Sequence, residues 1–233
     1  MLYLLYKLCY ITAYMNIAAK NLSYKTRIAK RHLLIATEKQ NCSDVLGSIK
    51  HGESVYAFTG GQFSFINVLE HLLDITGAAD VKIMTWSAGD ADLQYARKFL
   101  ESKRIKDIKF LIDFSFPTRQ PAYCQRILEL FPMSVKATNL HAKMIVVSND
   151  KWNFTVRTSM NLNHNKRFEN LEVVEGKEIT DFHNEIFDTI WDGSQFVDIK
   201  LKAGEYKKTG DIKFGGEVDA VDFDFGFKDF DVI

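Results

Sequence analysis

The chain has no net charge: 30 Lys and Arg stand against 30 Asp and Glu. The molecule as a whole therefore makes no electrostatic statement about its partners, and only the distribution of charge does. Cysteine is scarce. Cys9, Cys42 and Cys124 lie far apart, with neither metal-ligand spacing nor a pairing pattern, which argues against a disulfide framework and points to a reducing compartment. No apolar run is long enough to span a bilayer. The opening stretch, MLYLLYKLCYITAYMNIAAK, is interrupted by Lys7, and residues 8–19 fall short of a spanning length. Its charged start is thin for a signal peptide, so it reads as an extra amphipathic helix or an extension ahead of Met15. A cytoplasmic location is expected, with secretion the minority alternative. Internal repeats and long low-complexity blocks are missing too.

What is present is ordinary globular material, 233 residues at 46% apolar and 26% charged, enough for one domain with a substantial core. Its front is basic: Lys20, Lys25, Arg27, Lys30, Arg31 and Lys39 face Glu38 alone. Its back is acidic, from Glu205 through Asp211, Glu217, Asp219, Asp222, Asp224 and Asp229 to Asp231. Three segments follow: a helical and basic extension over 1–50, a central domain over 51–200, and an acidic aromatic tail over 201–233. The stretch KNLSYKTRIAKRH interleaves cations with Tyr24 and Ile28, as a nucleic-acid-facing helix does, although a solvated helical face fits equally well. In the tail, Phe223, Phe225, Phe227 and Phe230 are set among aspartates. That pattern suits either an edge strand or a tail that docks on a protein partner or on the chain's own basic site.

Between these ends, strands and helices alternate. SVYAFTG, VKIMTW and IKFLIDF are β-branched and aromatic. Each precedes a helical pattern, the first with Phe65, Leu69, Leu72 and Leu73 at helical spacing, closed by Gly77. SVKAT, HAKMIVVS, KWNFTVRT and NLEVV are further strands, and Asn149-Asp150 gives the middle two a hairpin turn. A last helix carries Ile179, Phe182, Ile186 and Ile190 on one face. The expected fold is α/β, a mixed and largely parallel sheet sandwiched by helices. Thr59, Gly60 and Gly61 precede a helix start, which suits a phosphate, but a tight strand-to-helix turn is favoured. Trp86 and Ser87 are equally explained by core packing and an N-cap. His51, His71 and His183 read as surface or helix-face residues, and His164, in a polar loop, either touches substrate or is simply exposed.

The stretch NLHAKMIVVSNDKWNFTVRTSMNLNHNKRFENLEVV is the chemically informative one. Alternation along HAKMIVVS puts His141 and Lys143 on one face, which is costly to bury without partners. Alone, that pair is most simply an exposed edge. After the hairpin, however, Ser159 and Asn161 share a face, and Glu169 returns at the next strand. A cation, an amide and a hydroxyl can hold phosphoryl oxygens, an imidazole can attack phosphorus, and a carboxylate can fix its tautomer. With no cluster of Asp and Glu to hold Mg²⁺, the protein itself would neutralise the phosphate.

Taken as a set, His141-Ala142-Lys143, Thr158-Ser159-Met160-Asn161 and Glu169-Asn170 resemble the H-x-K-x(4)-D, G-S-x-N and Glu-Asn signature of the phospholipase D superfamily. Ser148 stands in the Asp slot with Asp150 nearby, Thr158 replaces Gly, and the hairpin is longer than usual. A looser likeness, carried by TGGQFSFINVLEHLLD, VKIMTWSAGDADL and RTSMNLNHNKRFEN, is to phage- and prophage-encoded proteins of that superfamily. The resemblance implies a sandwich fold and a nuclease-like branch with one motif per chain. It further implies a homodimer in which His141 of one copy attacks phosphorus and His141 of the other protonates the leaving oxygen. It assigns catalytic roles to His141, Lys143, Ser159, Asn161 and Glu169, with Glu169 orienting its histidine, and calls for no cofactor and no metal. The basic front favours nucleic acid, DNA or RNA, over lipid, and a membrane is not an expected partner. The rival readings are a noncatalytic nucleic-acid-binding module and a lipid phosphodiesterase.

Overall fold

The computed structural model describes residues 30–36, 39–164 and 166–197. The opening apolar stretch, the basic run up to residue 29 and the acidic tail lie outside these described residues.

Strand β1 (Lys30–Ile35) and the short helix α1 (Cys42–Leu46) lead into β2 (Glu53–Thr59) and helix α2 (Phe65–Thr76). Then come β3 (Ala79–Thr85), α3 (Asp90–Glu101), β4 (Ile105–Asp113), α4 (Phe116–Arg119), α5 (Pro121–Leu130) and β5 (Val135–Thr138). The hairpin β6 (Met144–Ser148) and β7 (Asn153–Thr158), β8 (Glu169–Glu175), α6 (Lys177–Gly193) and β9 (Gln195–Phe196) complete the order.

All the described strands form one nine-stranded sheet, β1-β2-β8-β7-β6-β3-β4-β5-β9. It is mixed, and the expectation of a largely parallel sheet is corrected. Parallel pairing joins β1 to β2, β3 to β4 and β4 to β5, where helical crossovers intervene. The centre is antiparallel: β2–β8, β8–β7, β7–β6 and β6–β3. The physical reason is loop length. A chain that turns through Asn149 has no room for a crossover and must return antiparallel. The Asn149 side-chain oxygen accepts the N–H groups of Lys151 and Trp152, both at 2.9 Å, and so builds the turn.

The expected helical extension is corrected over Lys30–Ile35, which is a strand. There Leu34 is partly buried against the main core, whereas Leu33 and Ile35 are exposed, a period of two. The cations that suggested a solvated helix are met by carboxylates on neighbouring strands, Lys30 and His32 by Glu53 and Arg31 by Glu172. Cys42, Val45 and Leu46 of α1 are buried in the same core.

Helices α1, α2, α3 and α5 pack on one face of the sheet around that core, which includes Phe65, Leu69, Leu72 and Leu73. His71 is buried there as a structural residue, its Nε2 at 2.8 Å from the Gly47 carbonyl. Helix α6 covers part of the other face, burying Phe187 and Trp191 against Met84, Leu111 and Met144. Each of those two aromatics contributes about 2–3 kcal/mol by leaving water. The buried stripe of α6 runs Ile179–His183–Phe187–Trp191, not through Phe182, Ile186 and Ile190. Lys82 on β3 pairs with Asp188 at 2.8 Å and pins the helix from the sheet side.

Alternating strand directions bring the carboxyl ends of β2, β3, β4 and β7 and the amino ends of β6 and β8 to one edge of the sheet. Every residue of the candidate site lies there.

Candidate active site

His141 and Lys143 do not belong to β6, which begins at Met144, so the expectation that both lie in a strand is corrected. They form its lead-in. The ladder reaches only as far as the Lys143 carbonyl, which accepts the N–H of Thr158 at 3.2 Å. The lead-in is fixed from a residue the sequence does not flag. Buried Asp113, at the end of β4, accepts the backbone N–H of Leu140 at 3.1 Å through one oxygen and the N–H of Ser115 at 2.9 Å through the other.

The Lys143 ammonium donates to the His141 carbonyl at 3.0 Å and lies 3.4 Å from each ring nitrogen. A point equidistant from both nitrogens at that range can only sit over the imidazole face. Both in-plane nitrogen positions are left unengaged by the lysine. Burial pushes the Lys143 ammonium below the ordinary lysine value of 10.5, and the Glu169 carboxylate partly opposes that shift. On its other side the His141 ring meets Trp86 edge-on, 5.9 Å between centroids, and the Arg119 guanidinium lies 3.4 Å over the Trp86 ring. Trp86 is thus half-buried beside the site as well as packed in the fold. Helix α3 is capped by Gly89, not by Ser87.

From β7 the chain delivers Thr158 and Ser159. The Ser159 hydroxyl donates to the Glu169 carboxylate, and its oxygen accepts the Asn170 N–H at 3.0 Å. Among the described residues the hydrogen bond of Glu169 goes to Ser159 and not to His141. Thr158, in the position where the resemblance expects glycine, has a structural use. Its hydroxyl donates to the Asn170 carbonyl at 2.6 Å and accepts the Met160 N–H at 3.0 Å, closing β7 onto β8. Ser148 and Asp150 sit at the opposite end of the hairpin, far from His141.

His141, Lys143, Arg157, Ser159 and His183 line one open cleft of about 700 Å³, floored by Met84 and Met144. From the sequence, His183 reads as a surface or helix-face residue. Because the stripe runs one position on from Phe182, Ile186 and Ile190, the structure puts it on the buried face of α6. Its Nδ1–H donates to the Ile179 carbonyl at 2.7 Å, so Nε2 carries the lone pair. Burial holds its pKa below the ordinary 6.5. Asn161 and Glu169 are not among the described residues that line the cleft. Glu169 reaches it through Ser159, and the Asn161 side-chain oxygen is buried without a partner.

The Thr59-Gly60-Gly61 turn closes on itself. The Gln62 side-chain oxygen accepts the Gly60 N–H at 2.6 Å, and the Thr59 hydroxyl accepts those of Gly61 and Gln62 at 3.1 and 3.2 Å. Those amides are committed, and the turn reading holds over the phosphate site.

Fold and site together define a mixed α/β protein with a His–Lys–Ser cluster at one sheet edge, backed by Glu169. No family model and no curated protein matches the chain. Among solved structures it is similar to TrmBL2, an archaeal chromatin protein described as showing a novel mode of DNA binding. That likeness has a TM-score of 0.43 and 9% identity over 65% of this chain and 56% of that one. It is similar also to polyphosphate kinase from Porphyromonas gingivalis, with a TM-score of 0.42 and 10% identity over 61% of this chain. The chain spans 56% and 26% of the length of those two proteins. No helix among the described residues is long and apolar enough to cross a membrane.

Proposed function

We propose that this chain is a phosphodiesterase of the phospholipase D type acting on nucleic acid through a phosphohistidine. The observation that carries this reading is the placement of His141, Lys143 and Ser159 on the wall of one cleft, with Ser159 locked to Glu169. A ring nitrogen of His141 attacks phosphorus. A P–N bond forms, the P–O bond to the leaving group breaks, and the departing oxygen takes a proton. Water then attacks phosphorus and gives its proton to His141 of the second copy, the P–N bond breaks, and the histidine is regenerated. Lys143 meets the charge on the nonbridging oxygens and the Ser159 hydroxyl adds a donor, whereas Asn161 does not line the cleft. The active species is a homodimer in which His141 of a second copy supplies the leaving-group proton, because one motif per chain supplies one nucleophile and no general acid. A noncatalytic nucleic-acid-binding module is the second reading. It is favoured by one fact, that the Glu169 carboxylate is taken up by Ser159 and not by the histidine.

The deciding experiment assays purified chain and His141→Ala on bis(p-nitrophenyl) phosphate and on labelled DNA and RNA in excess EDTA. Turnover by wild type, its loss in His141→Ala, and poisoning of mixed dimers by the inactive chain are expected. Equal rates for the two proteins, or activity that returns only with added Mg²⁺ or Mn²⁺, would overturn the mechanism.

A further inference from the structure

Helix α6 covers only part of its face of the sheet. Strand register gives a transverse row on this face, Met84–Met144–Arg157–Glu172–Tyr56–Leu33. Its first two members lie under α6, and the last, Leu33, is 73% exposed. The next row towards the site edge runs from Ser159 through Asn170 and Phe58 to Ile35. Strands lie about 4.8 Å apart, so Phe58 is about 10 Å from Ser159 across the open sheet. Phe58 is 41% exposed and Ile35 77%. Phe168 directly precedes β8, one residue before Glu169. At 88% exposed it is the most exposed large apolar side chain among the described residues, and its ring edge passes over Gly60, where a Cβ would lie 3.6 Å from it.

The charge on this face has one sign in excess. Arg31 and Arg157, both about half exposed, share the single carboxylate of Glu172. Lys166 and Arg167 stand exposed directly before Phe168. Flat aromatic rings on an open sheet, interleaved with guanidinium and ammonium groups, suit a chain of bases joined by phosphates. A duplex does not suit them, because its bases are already stacked on one another. A wholly apolar protein partner leaves the excess cations unmet.

Resting on the reading of the cleft as a phosphodiester site, we infer that the β8–β2–β1 face, which α6 leaves open among the described residues, is the track for single-stranded nucleic acid. Its bases stack on Phe168 and Phe58 as the backbone passes into the cleft beside Ser159. The face therefore selects unpaired strands, and the cleft supplies only the chemistry.

The test measures binding by the full chain carrying His141→Ala, so that nothing is cut, using fluorescence anisotropy. The probes are a labelled thymidine dodecamer, its abasic counterpart and a duplex of equal length. The dodecamer is expected to bind tighter than the duplex. Phe168→Ala and Phe58→Ala should each weaken dodecamer binding by about tenfold, and Phe168→Trp should restore it. Binding of the abasic strand should not depend on either ring. Phe168 is too exposed for its loss to unfold the chain, and thermal melting verifies this for both variants. Dodecamer binding that ignores both substitutions overturns the inference, as does duplex binding equal to it. Sedimentation showing that the alanine variants split a dimer assigns the face to a second copy and overturns it as well. Hydrolysis of bis(p-nitrophenyl) phosphate by the wild-type chain separates the two readings. If that hydrolysis is absent while binding depends on the rings, the chemistry falls and the track stands. If it is present while binding ignores the rings, the chemistry stands and the track falls.

Discussion

The carboxylate of Glu169 accepts the hydroxyl proton of Ser159, and the Ser159 oxygen in turn accepts the backbone N–H of Asn170 at 3.0 Å. This orients the Ser159 side chain at the cleft wall, and its proton must turn from Glu169 to a phosphoryl oxygen when a ligand arrives. Ser159→Ala should leave the fold intact, since the residue is exposed, and lower kcat on a small phosphodiester by about 10- to 1000-fold, the range for losing one positioned donor. A kcat within twofold of wild type would remove Ser159 from the site.

The pH dependence should report Lys143. Its ammonium titrates below the ordinary value of 10.5, chiefly because it is buried. A charged lysine is needed at the phosphate, so the alkaline limb of activity should fall below pH 10.5. Lys143→Arg, which stays charged, should move that limb upward. Glu169→Gln removes the charge that opposes the shift, and should move it further down. A limb that does not respond to either change rules Lys143 out as its origin.

Asp92 offers a stability test of opposite character. It is buried on the first turn of α3 with one oxygen unpartnered, and burial raises its pKa to about 6. The folded state therefore binds a proton more readily than the unfolded state between the ordinary 3.8 and about 6. The cost of its charge is fully present above that window and disappears as the pH falls through it. Asp92→Asn should stabilise the chain by roughly 1–3 kcal/mol at neutral pH and by almost nothing near pH 4. Denaturant melts at the two pH values check the sign.

His183 should act in acid. It is kept neutral by burial, with its ordinary value at 6.5, so the unfolded state binds the extra proton first. Stability present above pH 6.5 is lost as the pH falls toward the folded value. His183→Leu should flatten that loss in a melting series from pH 7 to pH 5. The same substitution should alter the rate on a small diester if Nε2 accepts a proton in the cleft, and should leave it alone if His183 only packs.

Thr158 and Asp113 test the scaffold. Thr158→Gly restores the residue the resemblance expects, yet it removes two hydrogen bonds and should cost about 1–3 kcal/mol, whereas Thr158→Ser should cost little. Asp113→Ala releases the Leu140 N–H and should lower both the melting temperature and kcat, because His141 follows directly. An unchanged kcat in a destabilised Asp113→Ala chain would show that the lead-in holds its shape unaided.

Much of this molecule is legible in its sequence because the signals are local. Gly77 closes α2, and Asn149 builds the hairpin with its own side chain. His141, Lys143 and Ser159 converge because strand direction follows from loop length. What is not legible depends on distant partners. Nothing near Asp113 announces that it will hold Leu140, 27 residues later. Asn161 was grouped with Ser159 by alternation, but the strand ends first, and its side-chain oxygen turns inward. The buried stripe of α6 passes through His183, in line with Phe187 and Trp191 packed against Met84, Leu111 and Met144 on remote strands, partners no hydropathy pattern contains. The basic residues of β1 looked helical, since the carboxylates that receive them, Glu53 and Glu172, are remote in sequence.

The position of β6, β7 and β8 in the middle of the sheet has a consequence for synthesis. β2 and β3 are consecutive in the chain, but three strands made later stand between them. On the ribosome, residues 30–138 can pair only as two separate parallel patches, β1–β2 and β3–β4–β5, each with an open inner edge. Those edges are templates for mispairing until the last strands emerge and join the patches. The segment that closes the sheet also carries His141, Lys143, Ser159 and Glu169. A nascent chain therefore cannot assemble the His–Lys–Ser cluster before β6, β7 and β8 have joined the sheet.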